Sequence, residues 1–255
     1  DIESLPYIEA VRQLKWELGE ENSLVIHLTL IPYLSAAAEL KTKPTQHSVK
    51  TLMESGVNAD IIVCRTEHKL SNAIKNKIAL FCNVQNEAVI ESIDAETIYD
   101  VPILMQKERL DKVVLKKLGL STIKSSKMDR WKVFLDKLKN SDKTVNIGLV
   151  GKYVELQDSY KSILESLTHA GVANEVKVKI ITIHSESIED KNLSEMLEKL
   201  NGIIVAPGFG ERGMQGKIDA IRYSRENHVP FLGICLGMQM AVICLLYTSP
   251  SPRDS

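Results

Sequence analysis

A chain of 255 residues can bury one large core or two modest ones. Its 32 basic side chains balance 33 acidic ones, a formal net charge of -1 that excludes the basic excess general nucleic-acid or membrane-surface binding draws on. No apolar run approaches the ~20 residues that span a bilayer, and no secretory leader pattern opens the chain, so a reducing cytoplasm is the expected compartment.

In chain order the pattern reads as α/β. Pro6 suits a first helical turn, and Ile8, Val11, Leu14 and Leu18 follow helical spacing up to Gly19. A strand is predicted over 24–31 and a helix over 44–55, stopped by Gly56. Short apolar runs at 59–64 and 78–81 read as buried strands, and 87–118 as helical, with Val113, Val114, Leu115 and Leu118 on one face. A Ser- and Lys-rich stretch opens a linker, expected over 119–142 with a helix at 129–139. Strands then follow at 145–150, 176–183, 202–205 and 229–234. Between them lie helices from Asp158 or Ser159 to about His169 (ended by Gly171), over 193–200, and from Gly213 to about Asn227. This alternation predicts parallel, helix-covered sheets in two units, 1–118 and 143–243. The Ser/Pro-rich stretch 244–255 is expected to be a non-native, disordered tail outside the fold.

The cysteines Cys64, Cys82, Cys235 and Cys244 form no C-x-x-C pair and no metal-ligand spacing. Cys64 and Cys82 end apolar runs and read as small buried hydrophobes. Cys235 differs. In Pro230-Phe-Leu-Gly-Ile-Cys235-Leu-Gly-Met-Gln239 a strand enters Gly233, the thiol stands at a one-residue apex, and a helix follows. Glycines on both sides remove the Cβ atoms that would block so sharp a turn, as in a nucleophile elbow. The helix dipole there favours thiolate, and the Leu236 N–H can donate to an oxyanion. The loop Ala206-Pro207-Gly208-Phe209-Gly210 can bring a second donor, the Gly208 N–H. A buried structural cysteine accounts for G-x-C-x-G alone equally well. The longer string G-I-C-L-G-M-Q resembles the class I glutamine amidotransferases.

The second cluster is Glu39-Leu-Lys41-Thr-Lys43-Pro-Thr-Gln46-His47-Ser48. Two lysines precede the first turn of a helix whose free N–H groups can hold phosphate. A solvated basic loop is the plain alternative. The string K-T-K-P-T-Q-H-S, preceded by D-I-E-S-L-P at the start, resembles the amidoligase domain of the CTP synthase family, and the order of all three motifs agrees with it. The likeness runs from Asp1 to about Ile243.

That resemblance implies a partial P-loop-like amidoligase unit, a helical linker and a partial flavodoxin-like amidotransferase unit. The implied nucleophile is Cys235, with Gly208, Leu236, Gly237, Met238 and Gln239 around glutamine and its oxyanion. UTP, and CTP as feedback inhibitor, would contact Asp1, Ile2, Glu3, Lys41, Thr42, Lys43, Pro44, Thr45 and Gln46. Lys77, expected to open a strand, would join them. ATP would approach Arg65, Ile93, Asp94 and Ala95. GTP, the implied allosteric activator, would meet Lys152 and 209–212. ATP and Mg²⁺ serve the implied reaction without a prosthetic group; the ATP loop and the Mg²⁺-binding acidic residues would precede Asp1. The His and Glu that assist the nucleophile would lie well downstream of it, and His27, His169, His184 and His228 suit none of that role. A homotetramer, or a filament of it, is the implied assembly, and the segment alone is expected to be inactive. Two rivals remain: a class I amidotransferase attached to another synthetase, and a catalytically dead assembly copy.

Overall fold

The computed structural model describes residues 2–120, 127–189 and 191–248. Backbone contacts divide the chain between Asp129 and Arg130 into two compact units.

The first unit opens with α1 (Leu5–Leu18), which has proline in its first turn, ends at Gly19 and buries none of its residues. The strand β1 (Ile26–Ile31) leads into a short antiparallel pair, β2 (Tyr33–Leu34) and β3 (Glu39–Leu40), and then α2 (Lys43–Glu54). Next come β4 (Ile61–Thr66), α3 (Asn72–Phe81), β5 (Val89–Ile93), α4 (Val101–Lys107) and α5 (Leu110–Lys117). The strands pair in parallel in the order β1-β4-β5, with Ile26 opposite Ile61 and Ile62 opposite Val89. Central β4 carries the consecutive buried run Ile61, Ile62, Val63, Cys64, as a strand covered on both faces requires. Ile62 and Cys64 pack with Ile31, Val49, Ile78 and Cys82 on one face, and Ile61 and Val63 with Ile90 and Val113 on the other.

Two expected elements are corrected here. Residues 78–81 form the end of helix α3 rather than a strand: Ser71 caps the helix by accepting from the Ile74 N–H, and Ile74, Ile78 and Cys82 then face the core at four-residue spacing. Residues 89–93, placed in a long helix, form strand β5, with Val89 and Ile90 buried against β4.

The second unit contains α6 (Asp129–Asn140), β6 (Lys143–Gly151), α7 (Lys161–Ala173), β7 (Val176–His184), α8 (Leu193–Leu197), β8 (Gly202–Val205), α9 (Met214–Glu226), β9 (Phe231–Gly233) and α10 (Leu236–Thr248). Helix α6 was expected within a linker. Instead Phe134 meets the His169 ring of α7 and Lys137 pairs with Glu175 at 2.7 Å, so α6 packs on the second unit. The rest of that segment, 121–126, lies outside the described residues. Gly171, expected to end α7, lies inside it; its lack of a Cβ admits the Val176 carbonyl oxygen, which would stand 2.7 Å from one.

The strands run parallel in the order β7-β6-β8-β9, the flavodoxin-like doubly wound arrangement. A core of Val150, Leu197, Ile203, Val205 and Ala220 takes in Leu236, Met240 and Cys244 from one stripe of α10. That stripe corrects the expected tail: 244–248 continue the helix with Cys244 fully buried, while 249–255 lie outside the described residues.

Candidate active site

Cys235 stands between β9 and α10 with φ of +53°, a left-handed conformation uncommon for a side-chain-bearing residue. The neighbouring glycines make this turn possible. A Cβ on Gly233 would lie 2.7 Å from the Gly237 carbonyl group, and one on Gly237 would lie 2.2 Å from the Val205 oxygen. The Ile234 N–H donates to Val205 O at 3.0 Å, the Gly237 N–H to Ile234 O at 2.9 Å, and the Gln239 N–H to Cys235 O at 3.1 Å, fixing the apex between sheet and helix. Cys235 is exposed, whereas Cys64, Cys82 and Cys244 are buried. Burial pushes the Cys64 thiol up to about 11 and the Cys82 thiol in the same direction.

As first residue of α10, Leu236 has an N–H without an acceptor in its own helix. Gly208, on the loop after β8, lies beside it: a Cβ on Gly208 would stand 3.7 Å from Leu236 Cδ2. Thiol, Leu236 and Gly208 therefore share the carboxyl edge of the sheet. Gly237 and Met240 face inward, while Met238 is exposed and Gln239 begins the second turn of α10.

On the same edge Lys152 follows β6. Its N–H and that of Tyr153 donate to the buried Tyr160 hydroxyl at 3.1 and 3.3 Å, and its ammonium would lie 3.8 Å from a Gly210 Cβ. Phe209 is exposed and Arg212 pairs with Glu186, so Lys152 and the 209–212 loop do converge. Among the described residues no histidine hydrogen-bonds Cys235. His228 is exposed before β9, at the opposite end of that strand, and His184 accepts from the Glu186 N–H. His169 meets Phe134, and His27, with its pKa lowered by burial, bonds Ser48.

Sequence reasoning missed Lys217. It lies on α9, is 1% exposed, and donates to the Ala206 carbonyl at 3.0 Å. Its position four residues after Gly213 resembles a solvated helix lysine; only tertiary packing shows its burial.

The first unit places Arg65 and 93–95 at the carboxyl ends of β4 and β5, and 41–46 beyond that of β1, the edge where open parallel sheets bind ligands. Helix α2 begins at Lys43, one residue earlier than expected, with Thr42 as a buried cap residue. Pro44 contributes no N–H, so the first turn offers fewer donors than its length suggests. Thr45 is fully buried, its hydroxyl bonded to Thr29 Oγ1 and Leu30 O at 3.1 Å each. This corrects the expectation of a ligand-facing hydroxyl: Thr45 ties α2 to β1. Gln46 donates to Thr42 Oγ1 at 3.1 Å, and Lys41 pairs with Glu39. Lys43 is exposed and appears in no ion pair among the described residues. Lys77 is exposed on helix α3, correcting its expected place at the head of a strand.

Arg65 belongs to β4 itself, and its Nε lies 3.6 Å from Asp94 Oδ1, just past Ile93 at the end of β5; Ala95 follows in the same loop. The structure thus brings the proposed ATP contacts together. Ile2 and Glu3 are exposed in a short turn before α1, and Asp1 lies outside the described residues. No cluster of three or more His, Cys, Asp or Glu suited to a metal occurs among the described residues.

The profile of the family described as CTP synthase N-terminus matches residues 1–120, and that of class-I glutamine amidotransferases matches 155–247. A CTP synthase of Christiangramia forsetii is 70% identical over 243 residues, covering 95% of this chain and 44% of that protein. The chain belongs to the CTP synthase family. A CTP synthase of Flavobacterium johnsoniae is 68% identical, with 95% of this chain and 45% of its own length covered. The chain therefore spans a little under half the length of these relatives in the family. Among solved structures, the Trypanosoma brucei CTPS glutaminase domain with bound acivicin is 38% identical, covers 41% of each chain and gives a TM-score of 0.38.

Proposed function

We propose that this chain supplies the glutamine nucleophile and one wall of the pyrimidine-nucleotide site of a glutamine-dependent, ATP-driven CTP synthase. The observation that carries the reading is Cys235: an exposed thiol at φ +53° between two glycines that tolerate no Cβ. Its thiolate would attack the glutamine side-chain amide carbon while the Leu236 and Gly208 N–H groups receive the developing oxyanion. The C–N bond breaks, ammonia leaves, and water hydrolyses the thioester to glutamate. ATP would phosphorylate the 4-oxygen of UTP, and ammonia would displace that phosphate to give CTP.

Lys43, Lys41 and the first turn of α2 are the proposed triphosphate contacts, Ile2, Glu3 and Lys77 further contacts to UTP, and Arg65 with 93–95 the approach of ATP. Lys152 with 209–212 is the proposed GTP-responsive surface. Mg²⁺ would accompany ATP in that phosphorylation. Homotetramer assembly and a cytoplasmic location complete the proposal; no helix among the described residues is long and apolar enough to cross a membrane.

A chloroketone built on glutamine should label Cys235 faster than it labels a free-cysteine peptide; equal rates would defeat the reading. UTP should raise the melting temperature of the chain, which an amidotransferase serving another synthetase has no reason to show. With UTP, ATP, Mg²⁺ and ammonium the 255-residue chain should form no CTP; turnover would contradict its expected inactivity.

A further inference from the structure

Lys217 is a buried cation without a buried anion. Its side chain makes one hydrogen bond and no ion pair among the described residues, although an ammonium offers three donors. Such a group costs stability unless its surroundings use it. Its seating is tightly specified. Gly213 takes φ +77°, and Cβ atoms on Gly213 and Gly216 would fall 2.3 and 1.8 Å from the Ser185 hydroxyl and carbonyl oxygens. These contacts press the first turn of α9 against the 185–187 turn and carry Lys217 beneath the loop that follows β8.

The ammonium ends at that loop. It holds Ala206 O at 3.0 Å and would lie 3.4 Å from a Cβ on Gly208, whose other neighbour is Leu236, the residue after the thiol. Burial lowers the Lys217 pKa and Lys152 acts the same way, while the charge of a Cys235 thiolate opposes them, so the two sites lie within electrostatic reach.

We propose that Lys217 is a positioning residue for glutamine hydrolysis: from beneath the loop it fixes Ala206-Pro207-Gly208 and gives the thiol pocket a buried positive charge that favours anionic species there. The inference rests on the amidotransferase reading of Cys235. Removing the charge leaves the loop without its anchor and the thiolate and oxyanion without their buried counter-charge.

The test compares alkylation of Cys235 by iodoacetate and by iodoacetamide in the full chain. Both reagents consume thiolate, so the ratio of their rates cancels thiolate fraction and reports local charge. Wild type should show a ratio above that of a free-cysteine peptide. Lys217→Met should lower it about fivefold, ~1 kcal/mol. Lys217→Gln, which keeps a donor for Ala206 O, should lower it similarly with a melting temperature nearer wild type. Lys152→Met should change it by less than about twofold, its more exposed charge being screened. A wild-type ratio at or below the peptide value overturns the proposal whether or not the variants fold. So does an unchanged ratio in folded Lys217→Met or Lys217→Gln, or an equal fall in Lys152→Met. Labelling by the glutamine chloroketone at the free-thiol rate would defeat the amidotransferase reading instead, while the charge ratio still decides whether Lys217 sets the field at Cys235.

Discussion

The carboxyl edges of the two sheets treat their polar groups in opposite ways. At the first, Lys41 pairs with Glu39, Arg65 approaches Asp94, and Thr45 bonds Thr29 and the Leu30 carbonyl. At the second, an exposed thiol stands without a hydrogen-bond partner among the described residues, over a buried lysine. The same contrast separates two cysteines. Cys64 lies in a strand that continues through it to Thr66, so its sulfur enters the core; Cys235 follows a strand that stops at Gly233, so the chain turns and presents the thiol outward. Backbone path, set by glycines, decides which sulfur is available. The first edge holds its polar groups in pairs with one another, whereas the thiol edge is preset.

The largest expected effect breaks the preset edge. Gly237→Ala forces a Cβ onto the Val205 oxygen, a backbone atom of the adjacent strand that has little freedom to move. It should cost about 3 kcal/mol in urea unfolding and abolish the preference for labelling at Cys235.

The next effect concerns the buried sulfur. An unfolded Cys64 ionises near its ordinary 9.0, but the folded thiol holds its proton until about 11. Its contribution is complete below pH 9 and is lost as pH rises towards 11, by about 2–3 kcal/mol. Cys64→Ala should flatten that loss in urea titrations followed by circular dichroism between pH 8.5 and 11; an unchanged slope would contradict the burial account.

Smaller effects sharpen the proposed nucleotide edge. Lys43→Ala should weaken UTP binding about fivefold in calorimetric titration, with a reduced salt dependence. Glu39→Gln should strengthen it about twofold by releasing Lys41 from its ion pair.

Much of this was legible before the structure. The elbow was readable because Gly233 and Gly237 flank Cys235 where the turn admits no Cβ, and the start of α2, to within one residue, because Pro44 marks a first turn. The segment 78–81 misled because a four-residue apolar run fits strand and helix alike; the Ser71 cap seven residues earlier decides it. The strand 89–93 was hidden inside a longer helical pattern, since its partner β4 lies distant in sequence. Thr45 and Lys217 escaped for a common reason: whether a polar side chain faces inward depends on packing from other elements, which no local spacing encodes.

Intact-mass analysis after limited treatment with the glutamine chloroketone, followed by peptide mapping, tests the central claim most directly. The account predicts one adduct per folded chain, at Cys235, with Cys64, Cys82 and Cys244 unmodified until the chain is unfolded. An adduct at a buried cysteine before Cys235, or a folded chain that takes none, would contradict it.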